Sequence, residues 1–147
     1  MKERLQAKAI SDVLGVRYTD RLREAFPDVD PGIIPMGYLM VVQLRSPVKK
    51  TRGGILLADD TRDADKYRTQ TALVRAMGPS AFKRRDTLEA WPEGNWCEVG
   101  DFVRAPMYGG DRWEVEVNGS EKALFMAIKD TDLIGLVTAD PLGVINS

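Results

Sequence analysis

Arg45-Ser46-Pro47-Val48-Lys49-Lys50-Thr51-Arg52-Gly53-Gly54-Ile55-Leu56-Leu57-Ala58-Asp59-Asp60-Thr61-Arg62-Asp63-Ala64-Asp65 is the stretch on which the reading of this chain turns. Two glycines and three consecutive aliphatics stand at its centre, flanked by charged or small residues. Gly53 and Gly54 have a large backbone entropy to lose, so the stretch stays free until something orders it. Two readings follow from these residues alone. An apolar triplet on a polar tether can anchor in a hydrophobic groove of another protein. The same triplet after a turn can be a short buried strand.

Outward from it the texture is β. Upstream, residues 38–44 are rich in strand formers and stop at Ser46-Pro47. Downstream, residues 67–77 read as the next strand, with Thr69, Thr71, Leu73 and Val74 in it and Gly78-Pro79 ending it. The connection between the two is about 20 residues, a length usually reserved for functional or disordered loops. Residues 80–98 make a second long excursion, in which Trp91 and Trp96 are expected to pin the chain down. Lys83, Arg84 and Arg85 invite a phosphate, but Asp86, Glu89, Glu93 and Glu98 offset them, so a solvated loop is expected. Val99-Gly100-Asp101-Phe102-Val103 opens a further strand that Pro106 breaks or places at an edge. Residues 112–117 alternate Trp113, Val115 and Val117 with charges, the pattern of a half-buried strand, and Asn118-Gly119 signals a hairpin. Residues 123–128 return as a strand, Asp130-Thr131-Asp132 turns the chain, and residues 133–137 form the last short strand. Six or so short strands with turns between them predict an all-β fold, a small barrel or sandwich.

The N-terminus reads differently. Leu5, Ala9, Val13 and Leu14 keep helical spacing, and a second helical piece over residues 19–26 has Thr19 or Asp20 as its cap and Pro27 as its stop. Asp28-Val29-Asp30-Pro31-Gly32 is a turn or linker. An arm packed on the domain and an arm that docks a partner both fit.

Composition narrows the function. The 147 residues suit one domain with a real core. A formal net charge of -1 gives no bulk attraction for nucleic acid. No run of about 18 apolar residues exists to span a membrane, and Met-Lys-Glu-Arg begins no secretory signal. A single cysteine, Cys97, fits a reducing compartment, and a cytoplasmic protein is expected. There is no histidine, which removes the commonest metal ligand and general base. The expectation is therefore no enzyme, no catalytic residue, no metal and no cofactor.

The order of these motifs resembles the GroES-type co-chaperonins (the chaperonin-10 family). The family opens with a proline and a strand, matched by Pro35 and residues 38–44. Its mobile loop carries two glycines and an aliphatic triplet, matched by Gly53-Gly54-Ile55-Leu56-Leu57. Its Gly-Pro step, Val-Gly-Asp turn and Tyr-Gly turn are matched by Gly78-Pro79, Val99-Gly100-Asp101 and Tyr108-Gly109-Gly110. The final hairpin and the acidic-then-aliphatic ending are matched by Asn118-Gly119 and by Asp130 to Val137. The resemblance spans residues 34–138. It implies a GroES-like irregular β-barrel at 35–138, with a mobile loop at 45–66 and a roof excursion at 79–98. A helical arm at 1–34 and a tail at 139–147 flank it. These additions and the charged loop depart from the short bacterial form and fit the longer members known from phages, which would act in the host cytoplasm.

The resemblance implies a homo-oligomeric ring, usually a heptamer, that caps a GroEL-like ATP-driven chaperonin over a non-native client and binds no ATP itself. Gly53, Gly54, Ile55, Leu56 and Leu57 would contact the chaperonin. Lys83, Arg84, Arg85 and Tyr108 would belong to the dome and roof. Tyr38, Leu39, Leu133, Ile134, Leu136 and Val137 would lie at the subunit interface, where the first and last strands of neighbours pair. The alternative is a GroES-like ring or decoration protein of a virion or other large assembly, a role that the arm and tail would suit. The related barrel of zinc-dependent alcohol dehydrogenases needs a nucleotide-binding domain and metal ligands, and the chain has neither.

Overall fold

Leu39-Met40-Val41-Val42-Gln43-Leu44 has almost no polar alternation, and a strand of that kind must be covered on both faces. In the computed structural model, which describes residues 7–46, 70–119 and 121–143, it is. Strand β1 (Leu39–Leu44) lies inside an antiparallel sheet with β2 (Thr71–Met77), β3 (Phe102–Arg104), β4 (Asp111–Asn118), β5 (Glu121–Lys129) and β6 (Gly135–Leu136). The strand order is β4-β5-β1-β2-β3-β6. Met40, Val42 and Leu44 face the main core with Ala72, Val74, Val103, Leu124, Met126 and Ile128. Val41 faces the other way, into a second cluster with Ala123 and Phe125, against which Trp113, Val115 and Val117 of β4 pack. The period-2 pattern read in residues 112–117 is thus the outer face of the β4–β5 hairpin.

Chain length forces the sheet to curl. Lys129, at the end of β5, pairs with Leu39, whereas Gly135 of β6 pairs with Arg104, which pairs with Thr71 at the far end of β2. A flat sheet would separate β5 from β6 by four inter-strand spacings, about 19 Å, besides the offset along the strands. The few residues between can span about 20 Å fully extended. They bridge the gap by crossing the inner side, where Leu133 packs against the main core. The fold is a small all-β barrel, one of the two forms, barrel or sandwich, that its turn spacing predicted.

Two strands are shorter than expected. The final one is only Gly135–Leu136, because Leu133, half-buried, turns to pack against the core. β3 starts at Phe102 rather than Val99, because Gly100 turns the chain with φ +100.

The Gly-Pro step has a steric cause. The Gly78 N–H donates to the Leu39 carbonyl at 2.8 Å. A Cβ at Gly78 would collide with the Gly37 carbonyl oxygen and stand 2.9 Å from that of Leu39. Both obstacles are backbone and cannot swing aside. Gly78→Ala is expected to cost roughly 1–3 kcal/mol, the ordinary penalty of overpacking. A thermal melt would show it as a drop of several degrees, and an unchanged melting temperature would contradict this account of the step.

The N-terminal arm packs on the barrel. α1 (Ile10–Leu14), a 3-10 turn (Gly15–Arg17) and α2 (Asp20–Ala25) place Ile10, Leu14, Tyr18 and Phe26 in one cluster with Leu73 of β2. Phe102 of β3 and Leu142 of the tail pack against the same cluster. Thr19 caps α2, its hydroxyl accepting the Leu22 N–H at 3.4 Å. The Tyr18 hydroxyl donates to the Phe26 carbonyl at 2.5 Å, and its burial, with Asp28 nearby, pushes its pKa up to about 12.

Candidate functional site

Residues 47–69 carry the expected contact motif, so the candidate site is built from the frame that holds their ends. Gly53, Gly54, Ile55, Leu56 and Leu57 themselves lie outside the described residues. The chain leaves the barrel at Ser46 and returns at Gln70, at the end of the β1–β2 hairpin where Leu44 pairs with Ala72. Each side of this root is fastened. The Arg45 N–H donates to the Thr71 carbonyl at 3.0 Å and the Ser46 N–H to the Ala25 carbonyl at 2.8 Å. Gln70 is buried; its Nε2 donates to the Ala105 carbonyl at 3.2 Å and its Oε1 accepts from Arg104 at 2.9 Å. The Ala105 N–H donates back to the Gln70 carbonyl at 2.8 Å.

The expected interface residues fall at two places. Among the described residues β6 ends the sheet, paired only with β3, and presents Ile134 (59% exposed) and Leu136 (52% exposed). Val137 is half-buried and donates its N–H to the Phe102 carbonyl at 2.9 Å, while Leu133 packs against the core. Tyr38 and Leu39 lie at the start of β1, an inner strand of the sheet. Their main chain is engaged within it: the Tyr38 carbonyl accepts from Asp130 N–H, and Leu39 pairs with Lys129. The segment just before them exposes Ile33 and Met36.

Over residues 80–98 Trp91 and Trp96 pin the excursion as expected, and Phe82 joins them. Phe82, fully buried, stands 5.6 Å from Trp91 and 6.0 Å from Trp96, and the two tryptophan rings are 5.0 Å apart. Arg84 pairs with Asp86 at 3.1 Å. Arg85 lies 3.9 Å over the Tyr38 ring and bonds Asp130 at 2.5 Å. Asp130 is fully buried and also accepts the Phe82 N–H at 2.9 Å. It therefore ties the foot of the excursion to the end of β5, a role that its place in an Asp-Thr-Asp turn concealed. Lys83 forms a lone bridge with Ala90. Tyr108 is 84% exposed in the turn before β4.

Reactive chemistry is not favoured here. Burial, with Asp101 and Glu98 beside it, pushes the Cys97 thiol up to about 12, which leaves it protonated and inert. Among the described residues no group of three acidic or thiol side chains is placed to hold a metal ion. No described helix is long and apolar enough to cross a membrane.

Fold and site define a β-barrel scaffold that fastens the two ends of residues 47–69. No family profile matches the chain. It is similar to the co-chaperonin GroES of Tetragenococcus halophilus, 30% identical over 103 residues, which span 70% of this chain and 96% of that protein. It is also similar to the co-chaperonin GroES of Methylacidiphilum infernorum (isolate V4), 27% identical over 112 residues, 74% of this chain and 97% of that protein. The chain belongs to the GroES co-chaperonin family.

Proposed function

We propose that this co-chaperonin assembles as a ring, a heptamer, and caps a double-ring ATP-driven chaperonin over a non-native protein. The observation that carries the reading is the fastened root: both ends of residues 47–69 are held side by side, and between them stands Gly53-Gly54-Ile55-Leu56-Leu57. Ile55, Leu56 and Leu57 enter an apolar groove on the chaperonin, and Gly53 and Gly54 let the chain bend into it. The chain hydrolyses nothing; ATP belongs to the partner. Lys83, Arg84 and Arg85 stand at the roof and Tyr108 on the dome surface.

Subunits join edge to edge. Among the described residues one side of β6 is unpaired, with Ile134 and Leu136 exposed, and an open edge of that kind favours pairing with another chain. Residues 33–36 of the neighbour, with Tyr38 and Leu39 behind them, supply the other half. Leu136→Asp places a charge in that contact. The wild type is expected to run as a ring in native mass spectrometry and to co-migrate with a double-ring chaperonin in ATP. The variant is expected to run as a folded monomer that does not co-migrate. A Leu136→Asp ring of unchanged size would overturn this interface.

A further inference from the structure

We propose that the N-terminal arm is a brace: it holds Ser46, the last residue of the barrel before residues 47–69, and so sets the strength of the partner contact. The inference rests on the capping role proposed above and concerns the regulation of that same contact.

The contacts of the arm converge on the strands that carry the root. At Arg45 the chain is still held by the β1–β2 hairpin, through Thr71. One residue later the hold passes to the arm, where the Ser46 N–H donates to the carbonyl of Ala25 at the end of α2. On β1, Gln43 Nε2 donates to the Pro27 carbonyl at 2.8 Å. On β2, Arg75 donates to the carbonyls of Val29 at 3.0 Å and Lys8 at 3.1 Å, and to Gln43 Oε1 at 2.6 Å. Asp28 locks α1 in place, accepting from Ile10 N–H at 2.7 Å, Ser11 N–H at 3.2 Å and the Ser11 hydroxyl at 2.9 Å. Val13 fills the space where any side chain at Gly100 would stand. The arm thus runs along β1 and β2, from Arg75 and Gln43 to Ser46, the residue at which the segment departs.

A tether whose first residues are already oriented loses less freedom when its tip docks. In a ring the gain is repeated at every subunit, so a small effect per loop becomes a large one in avidity.

Native-state hydrogen exchange on the full-length wild type tests the brace without any partner. The Ser46 amide is expected to exchange in step with the Phe26 and Arg23 amides of the α2 turn as denaturant rises. Exchange of Ser46 at the rate of an unstructured peptide would overturn the proposal. The second arm of the test uses Ile10→Asp, which puts a charge into the buried arm contact, and the milder Asp28→Ala, which removes the three bonds that hold α1. Exchange confirms that each ring is folded with its arm loosened. Apparent affinity for a double-ring chaperonin in ATP is then expected to fall about tenfold or more, a modest share of the avidity range. Unchanged affinity with a loosened arm would overturn the proposal. Failure of the wild type to bind would instead overturn the capping role, and the exchange result would still decide whether the arm holds the root.

Discussion

Leu56→Asp is expected to abolish capping and leave the ring intact. Burying three aliphatic side chains contributes on the order of 5–9 kcal/mol before costs. Ordering about ten residues of backbone costs roughly 10 kcal/mol. On the proposed capping role a single loop is therefore a weak ligand, and capping would depend on several loops acting from one ring, where avidity adds about 10²–10⁴ over one site. An Asp at position 56 removes one third of the apolar anchor and would bring a carboxylate into the groove, at an effective cost of several kcal/mol for an unpaired ion. Because every subunit carries the change, the loss is repeated around the ring and no residual avidity survives. Ile55→Asp is expected to behave in the same way. Sedimentation velocity separates the two halves of the prediction: the ring boundary is retained, and the boundary of the capped complex disappears. Loss of the ring itself in Leu56→Asp would mean that the triplet serves assembly rather than the partner.

The second large effect is expected at Arg75. Its side chain is 3% exposed and holds three acceptors at once: the Val29 and Lys8 carbonyls and Gln43 Oε1. Burial lowers its pKa, and Asp28, Asp30 and Tyr18 act in the opposite sense; a guanidinium stays charged regardless. Its planar fork suits this task, since one head group must serve carbonyls that come from distant parts of the chain. Arg75→Ala leaves those acceptors without their donor and opens a void under the arm. The expected loss is roughly 3–5 kcal/mol, the range for breaking a buried charged hydrogen-bond set by removing one partner. Urea titration measures it. Arg75→Lys should recover part of the loss, because an ammonium keeps the charge but cannot span all three acceptors. A loss below about 0.5 kcal/mol in Arg75→Ala, the level of an ordinary surface change, would show that the arm is not held through this residue.

Arg75 also shows where the sequence falls short. Nothing in Val74-Arg75-Ala76-Met77 marks Arg75 as a buried residue. It is buried because residues 8–29, far off in sequence, cover that face. No local pattern encodes that. Asp130 is the same case: a turn residue by composition, but fully buried because Phe82 N–H and Arg85 converge on it from the excursion. What local rules do encode was legible. Trp113, Val115 and Val117 alternate on β4, the hairpin closes at Asn118-Gly119, and Thr19 caps α2. Phe82, Trp91 and Trp96 cluster because large aromatics in a long loop must find cover. The motif Gly53-Gly54-Ile55-Leu56-Leu57 lies outside the described residues, and its contact role rests on the proposal above. Of the arm, the sequence predicted the helices but left open whether they pack or dock. The pairing of Ile10, Leu14, Tyr18 and Phe26 with Leu73 answers that for the chain on its own.

The central claim is that this chain is a ring-shaped cap held by residues 53–57. It is tested most directly by sedimenting the wild-type protein with a double-ring chaperonin, with and without ATP. The account predicts co-sedimentation of one ring per chaperonin end in ATP and little or none without it. A chain that forms its ring and yet sediments apart from the chaperonin under both conditions would contradict the claim.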